Sequence, residues 1–123
     1  MKDVDDLELR DWVIHRVRDA VGRAWEEAYA RGALFFWDRY ASRLSALLNG
    51  AEVEVVPRLR VHPDVVRAAM EWKGVGPADP RFTFVRIKFA GFPLWLVFDT
   101  GAGGVGLPAP TSPPDFLVVE GKS

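Results

Sequence analysis

The stretch that decides the fold is RFTFVRIKFAGFPLWLVFD, residues 81–99. Two runs rich in β-branched and aromatic residues, 81–89 and 92–99, flank Ala90-Gly91. A small residue followed by glycine between two such runs reads as a two-residue hairpin turn. That turn sets Phe89 opposite Phe92, Ile87 opposite Leu94 and Val85 opposite Leu96. Side chains alternate between faces along a strand, so these residues share one apolar face, with Thr83 and Phe98 at its end. The other face receives Phe82, Phe84, Arg86 and Lys88 from the first strand and Pro93, Trp95 and Val97 from the second.

Before the hairpin, 5–48 has helical periodicity. Leu9, Val13, Val17, Ala20, Ala24 and Ala28 form one stripe at three- and four-residue steps, continued by Trp37, Tyr40, Leu44, Leu47 and Leu48. Gly22 and Gly32 interrupt it, so the segment reads as one bent helix or two helices divided near Gly32. Asn49-Gly50 is a stop signal. Residues 51–61 alternate, with Val53, Val55, Pro57, Leu59 and Val61 on one side. Pro57 makes this an edge strand or a broken one. A short helix opens at His62-Pro63-Asp64 and runs to Lys73. Residues 100–114 read as a Gly- and Pro-rich loop and 116–120 as a last strand. The expected fold is one α+β domain over 1–123, with the N-terminal helical segment and the short helix on one face of a three- to four-stranded antiparallel sheet.

The chain has 123 residues and no cysteine, which excludes disulfides and thiolate sites. No apolar run is long enough for a membrane span, and the acidic N-terminal stretch is unlike a signal peptide, so a cytoplasmic location is expected. Glutamine is missing and Asn49 is the sole asparagine, a composition suited to heat. The net charge of −1 hides a positive middle: residues 58–95 hold seven basic and three acidic side chains.

The aromatic and basic face of the hairpin is the candidate site. Phe82, Phe84 and Trp95 supply rings for stacking, and Arg86 and Lys88 supply cations. Arg58 and Arg60 join them if the edge strand turns its valines inward, and Trp72 and Lys73 form a rim. This pattern suits single-stranded nucleic acid, DNA ahead of RNA, bound without strong sequence preference, cofactor or catalysis. A protein–protein or dimer interface is the alternative, since the same rings could meet a second subunit. A purely structural reading has another helix or the loop after Asp99 covering Phe82, Phe84 and Trp95, with Arg86 and Lys88 keeping an edge soluble.

A third reading comes from Asp99-Thr100-Gly101-Ala102, which resembles the active-site motif of retroviral-type aspartic proteases. Only 24 residues follow Asp99, and a strand end capped by aspartate accounts for the motif as well. Gly101, Gly103 and Gly106 satisfy GxGxxG, but Leu107-Pro108-Ala109-Pro110 cannot open the helix a dinucleotide site needs. The loop reads instead as a flap beside the open face. His62 reads as a cap or a surface residue and His15, within the helix, as solvated or packed.

A long helical segment, Asp5–Leu48, followed by a sheet carrying Phe82, Phe84, Arg86, Lys88 and Trp95, resembles the ThermoDBP-type single-stranded DNA-binding proteins and their relatives in hyperthermophilic archaea. The resemblance is one of architecture over most of the chain. It implies binding of single strands by stacking and basic contacts. Some members of that group dimerise through a C-terminal leucine zipper, but 116–123 has no heptads.

Overall fold

A computed structural model of the chain describes residues 6–30, 37–77, 81–100 and 113–121. Helix α1 spans Asp6–Ala30 and α2 spans Trp37–Leu47. Strand β1 (Glu52–Val56) leads through a 3-10 turn, Arg58–Arg60, into α3 (Pro63–Lys73). Strands β2 (Phe82–Phe89), β3 (Phe92–Asp99) and β4 (Phe116–Glu120) follow. The four strands form one antiparallel sheet in the order β1-β2-β3-β4, so each strand pairs with its neighbour in sequence. No described helix is long and apolar enough to cross a membrane.

Local chemistry fixes the elements. The β2–β3 register is the expected one, Phe89↔Phe92, Ile87↔Leu94, Val85↔Leu96. Ala90 (φ 53°) and Gly91 (φ 83°) both have positive φ, as a type I′ turn requires. Pro57 ends β1, and the backbone tightens into the 3-10 turn. Helix α3 starts with His62 Nδ1 accepting from the Asp64 amide at 3.1 Å, and ends at Gly74 in the left-handed region. His62 is therefore a cap, as its place before Pro63 implies. Asn49 and Gly50, both at positive φ, close the turn after α2.

Two cores lie on opposite sides of the sheet. In the first, Val13, Val17, Val21 and Trp25 of α1 and Tyr40 and Leu44 of α2 pack on Val85, Ile87, Leu94, Leu96 and Phe98. Tyr40 donates its hydroxyl to the Val21 carbonyl at 2.7 Å, tying the two helices together. In the second, Val65 and Ala69 of α3 pack with Val56, Val61, Phe84, Trp95 and Val97.

That second core corrects the expected arrangement: α3 covers the face opposite α1 and α2. The physical reason is amphipathicity. Val65, Ala69 and Trp72 form a stripe at helical spacing that must be buried, and the ring-bearing sheet face is the apolar surface free to receive it. Residues 51–61 also divide between faces. Val53 and Val55 join the first core, Val56 and Val61 the second, and Leu59 stands 99% exposed on the 3-10 turn.

Candidate functional site

The side chains proposed to stack bases do not form an open platform. Phe84 is 2% exposed and Trp95 1% exposed, both sealed beneath α3. Phe82 is half-buried and stacks on Trp72 of α3, with ring centroids 6.4 Å apart. Lys73 Nζ lies 4.3 Å from the Trp72 ring centroid and bridges Asp99 Oδ2 (3.2 Å) and Asp115 Oδ2 (3.5 Å). The residues of the sequence-based site are thus brought together, but around a core. The apolar stripe of the amphipathic α3 is what excludes water from the rings.

Several cations of that site also meet partners within the protein. Arg86 is hydrogen-bonded to the carboxylate of Glu54, its neighbour across the β1–β2 ladder, and Arg60 lies 3.8 Å from the same carboxylate. Arg58 Nη2 approaches Met70 Sδ at 3.9 Å, on the 3-10 turn instead of the sheet. Lys88 sits exposed across the ladder from Glu52. The part of this face beyond α3 therefore carries Glu52 and Glu54 against Arg86, Lys88 and Arg60, three cations to two carboxylates, so most of its positive charge is neutralised.

Asp99 ends β3 and accepts from Arg81 Nε at 3.1 Å, in addition to its contact with Lys73. Thr100 hydrogen-bonds the Arg81 carbonyl through both its amide (2.8 Å) and its hydroxyl (2.6 Å). These bonds lock the end of the hairpin. The remainder of the protease-like motif, the GxGxxG glycines and the proposed flap lie outside the described residues. Among the described residues no three His, Asp or Glu side chains gather as metal ligands.

A different feature stands out at the sheet's edge. Strand β4 lies at one end of the order, and among the described residues no strand lies beyond it. The phase of its hydrogen bonding is fixed at both ends: the Asp99 amide donates to the Asp115 carbonyl at 2.9 Å, and the Gly121 amide to the Pro93 carbonyl at 3.0 Å. Bonded and non-bonded pairs alternate in an antiparallel ladder. Residues 115, 117, 119 and 121 therefore turn their peptide groups to β3, and Phe116, Val118 and Glu120 turn theirs outward.

Helix α1 backs this edge. Arg10 forms a bidentate pair with the carboxylate of Glu120, its Nη2 lying 3.1 Å from Oε2, and the Arg18 guanidinium sits 5.5 Å from the Phe116 ring centroid. The helix and the strand consequently run in opposite directions. Eight helical residues rise about 12 Å and four strand residues about 13 Å, so the two contacts match in spacing. Ile14, half-buried, falls midway between Arg10 and Arg18 on the same helical row.

The two sheet edges differ in chemistry. On β1 every second residue is acidic, Glu52 and Glu54, and Pro57 follows directly, which are features that discourage pairing. On β4, Phe116-Leu117-Val118-Val119 carries no charge before Glu120. Sequence patterning locates this strand but does not reveal that it ends the sheet among the described residues, which depends on strand order. No protein family, curated protein or solved structure compared with the chain matches it.

Proposed function

We propose that this chain is a protein-interaction module that accepts an extended strand along the free edge of β4. The observation that carries this reading is the outward row of peptide groups at Phe116, Val118 and Glu120, on a strand whose first four residues carry no charge and which is held firmly from behind. Such an edge offers donors and acceptors at fixed spacing, and strand addition is a recurring way of recognising peptides. Support from both sides of the sheet makes the edge rigid: Phe116 and Val118 pack on the first core, Leu117 and Val119 on the second.

Binding of single-stranded nucleic acid requires exposed rings beside available cations. With Phe84 and Trp95 under α3 and Arg86 paired to Glu54, the geometry favours the interaction module over it. Asp99, held between Arg81 and Lys73, serves as a clamp in this reading.

The test is a backbone-amide titration of isotopically labelled protein at low concentration. A short peptide alternating valine and threonine is added in one arm and oligothymidylate in the other. The amides of Phe116, Val118 and Glu120 should shift with the peptide and stay still with the oligonucleotide. Shifts confined to the oligonucleotide arm would restore the nucleic-acid reading and overturn this one.

A further inference from the structure

Taking the strand-accepting edge as its starting point, the geometry points to a second copy of this chain as the occupant, paired antiparallel through β4 with Val118 on the two-fold axis. In that register Val118 faces Val118 of the partner subunit, and Phe116 faces Glu120 of the partner subunit. All three outward-turned residues then form hydrogen-bonded pairs, which is the outcome their phase dictates. A two-fold interface must be self-complementary, and three features of this edge satisfy that condition.

The first is charge. Glu120 would lie beside Phe116 of the partner subunit, and each protomer's Arg18 sits over its own Phe116 ring. The Glu120 carboxylate, already bonded to Arg10, would therefore gain the partner's Arg18 on its other side. Two oxygens can accept from both guanidiniums. The second is the apolar centre. Ile14 lies midway along the Arg10–Arg18 row as Val118 lies midway along β4, so both fall next to the same axis. The third is the contrast with β1. Self-pairing there about its central residue would set Glu54 against its own copy, and like charges directly opposite are destabilising.

A five-residue strand pair buries little surface by itself, so association should be reversible, with a dissociation constant on the order of micromolar. Sedimentation of the full chain over a wide concentration range tests this, with E120R, R18E and V118P as variants and circular dichroism to confirm folding. Glu120→Arg sets two cations together across the axis and Arg18→Glu sets two anions together. Each variant alone should lose at least about tenfold in dimer affinity. An equimolar mixture of the two restores both opposite-charge contacts and should dimerise like the wild type. Val118→Pro removes an outward amide while sparing the ladder to β3, and should remain folded and monomeric.

A wild type that stays monomeric at high concentration overturns the proposal, as does a mixture no better than its parts. The strand-accepting reading survives that result if the valine–threonine peptide still shifts the edge amides. If neither the peptide nor a second copy moves them, both fall together.

Discussion

Arg86 lies directly across the β2–β3 ladder from Trp95, its guanidinium 6.0 Å from the indole, yet only the arginine reaches water. Paired residues of a strand ladder point to one side of the sheet, so both belong to the face that α3 covers. The helix ends its coverage between them. Trp95 joins Val65 and Ala69 in the second core, and Arg86 turns past the helix to Glu54. One sheet face is thus apolar core at one end and paired charge at the other.

Because Trp95 and Phe84 are core residues, truncating either should destabilise the whole domain instead of weakening a surface contact. Trp95→Ala and Phe84→Ala should each cost about 3–5 kcal/mol, through lost burial and the cavity left beneath α3. Urea denaturation gives the measurement. A midpoint unchanged from the wild type would mean that α3 does not pack on these rings.

Much of this architecture is legible in the residues, because local chemistry dominates there. Ala90-Gly91 fixes the hairpin and hence its register, Pro57 stops β1, and His62-Pro63 opens α3. The second core leaves two signals of its own in the sequence. The run Leu94-Trp95-Leu96-Val97-Phe98 does not alternate, and every member is buried, as in a strand covered on both faces. Val65, Ala69 and Trp72 form a stripe that no solvated helix would carry. Arg86 and Lys88, spaced among the rings, mask both signals, because the same pattern suits an open binding face. Which partner each cation takes, Glu54 for Arg86 or Asp99 for Lys73, depends on tertiary placement that no local pattern encodes.

The hairpin turn leaves room for improvement. Ala90 sits at φ 53°, where a Cβ carries a penalty of about 1–2 kcal/mol. Asparagine tolerates that region better and is the favoured first residue of such turns. Ala90→Asn should therefore raise stability by about 0.5–1 kcal/mol, read as a higher denaturation midpoint with an unchanged slope. Gly91→Val, at φ 83°, should do the reverse and by a larger margin.

Tyr40 makes stability depend on alkaline pH. Burial pushes its phenol well above the ordinary value of 10.0, because the ionised ring would lose its water inside the first core. The unfolded chain releases the proton near pH 10 and the folded chain does not. Stability is thus intact below about pH 10 and falls above it by about 1.4 kcal/mol per pH unit from this group. Thermal melts between pH 8 and pH 11, as a series chosen around about that value, should show the decline. Tyr40→Phe should flatten it while losing about 1 kcal/mol for the bond to Val21.

Asp99 supplies the last prediction, because its two cations give it a role that can be measured. Arg81 Nε at 3.1 Å and Lys73 Nζ at 3.2 Å both meet its carboxylate, and all three side chains are largely withdrawn from solvent. Removing the carboxylate leaves two partly buried cations with one anion fewer, and Asp115, which also meets Lys73, is mostly exposed. Asp99→Ala should then destabilise the fold by about 1–3 kcal/mol, the penalty for stranding charged hydrogen-bonding groups. Asp99→Asn keeps one acceptor and should lose less. The double variant Asp99→Ala/Lys73→Met should recover part of the loss, since it removes a stranded cation along with its partner. Chemical denaturation of the three variants measures this order. Equal stability for all of them and the wild type would show that the carboxylate anchors nothing, and would return Asp99 to consideration as a chemical group.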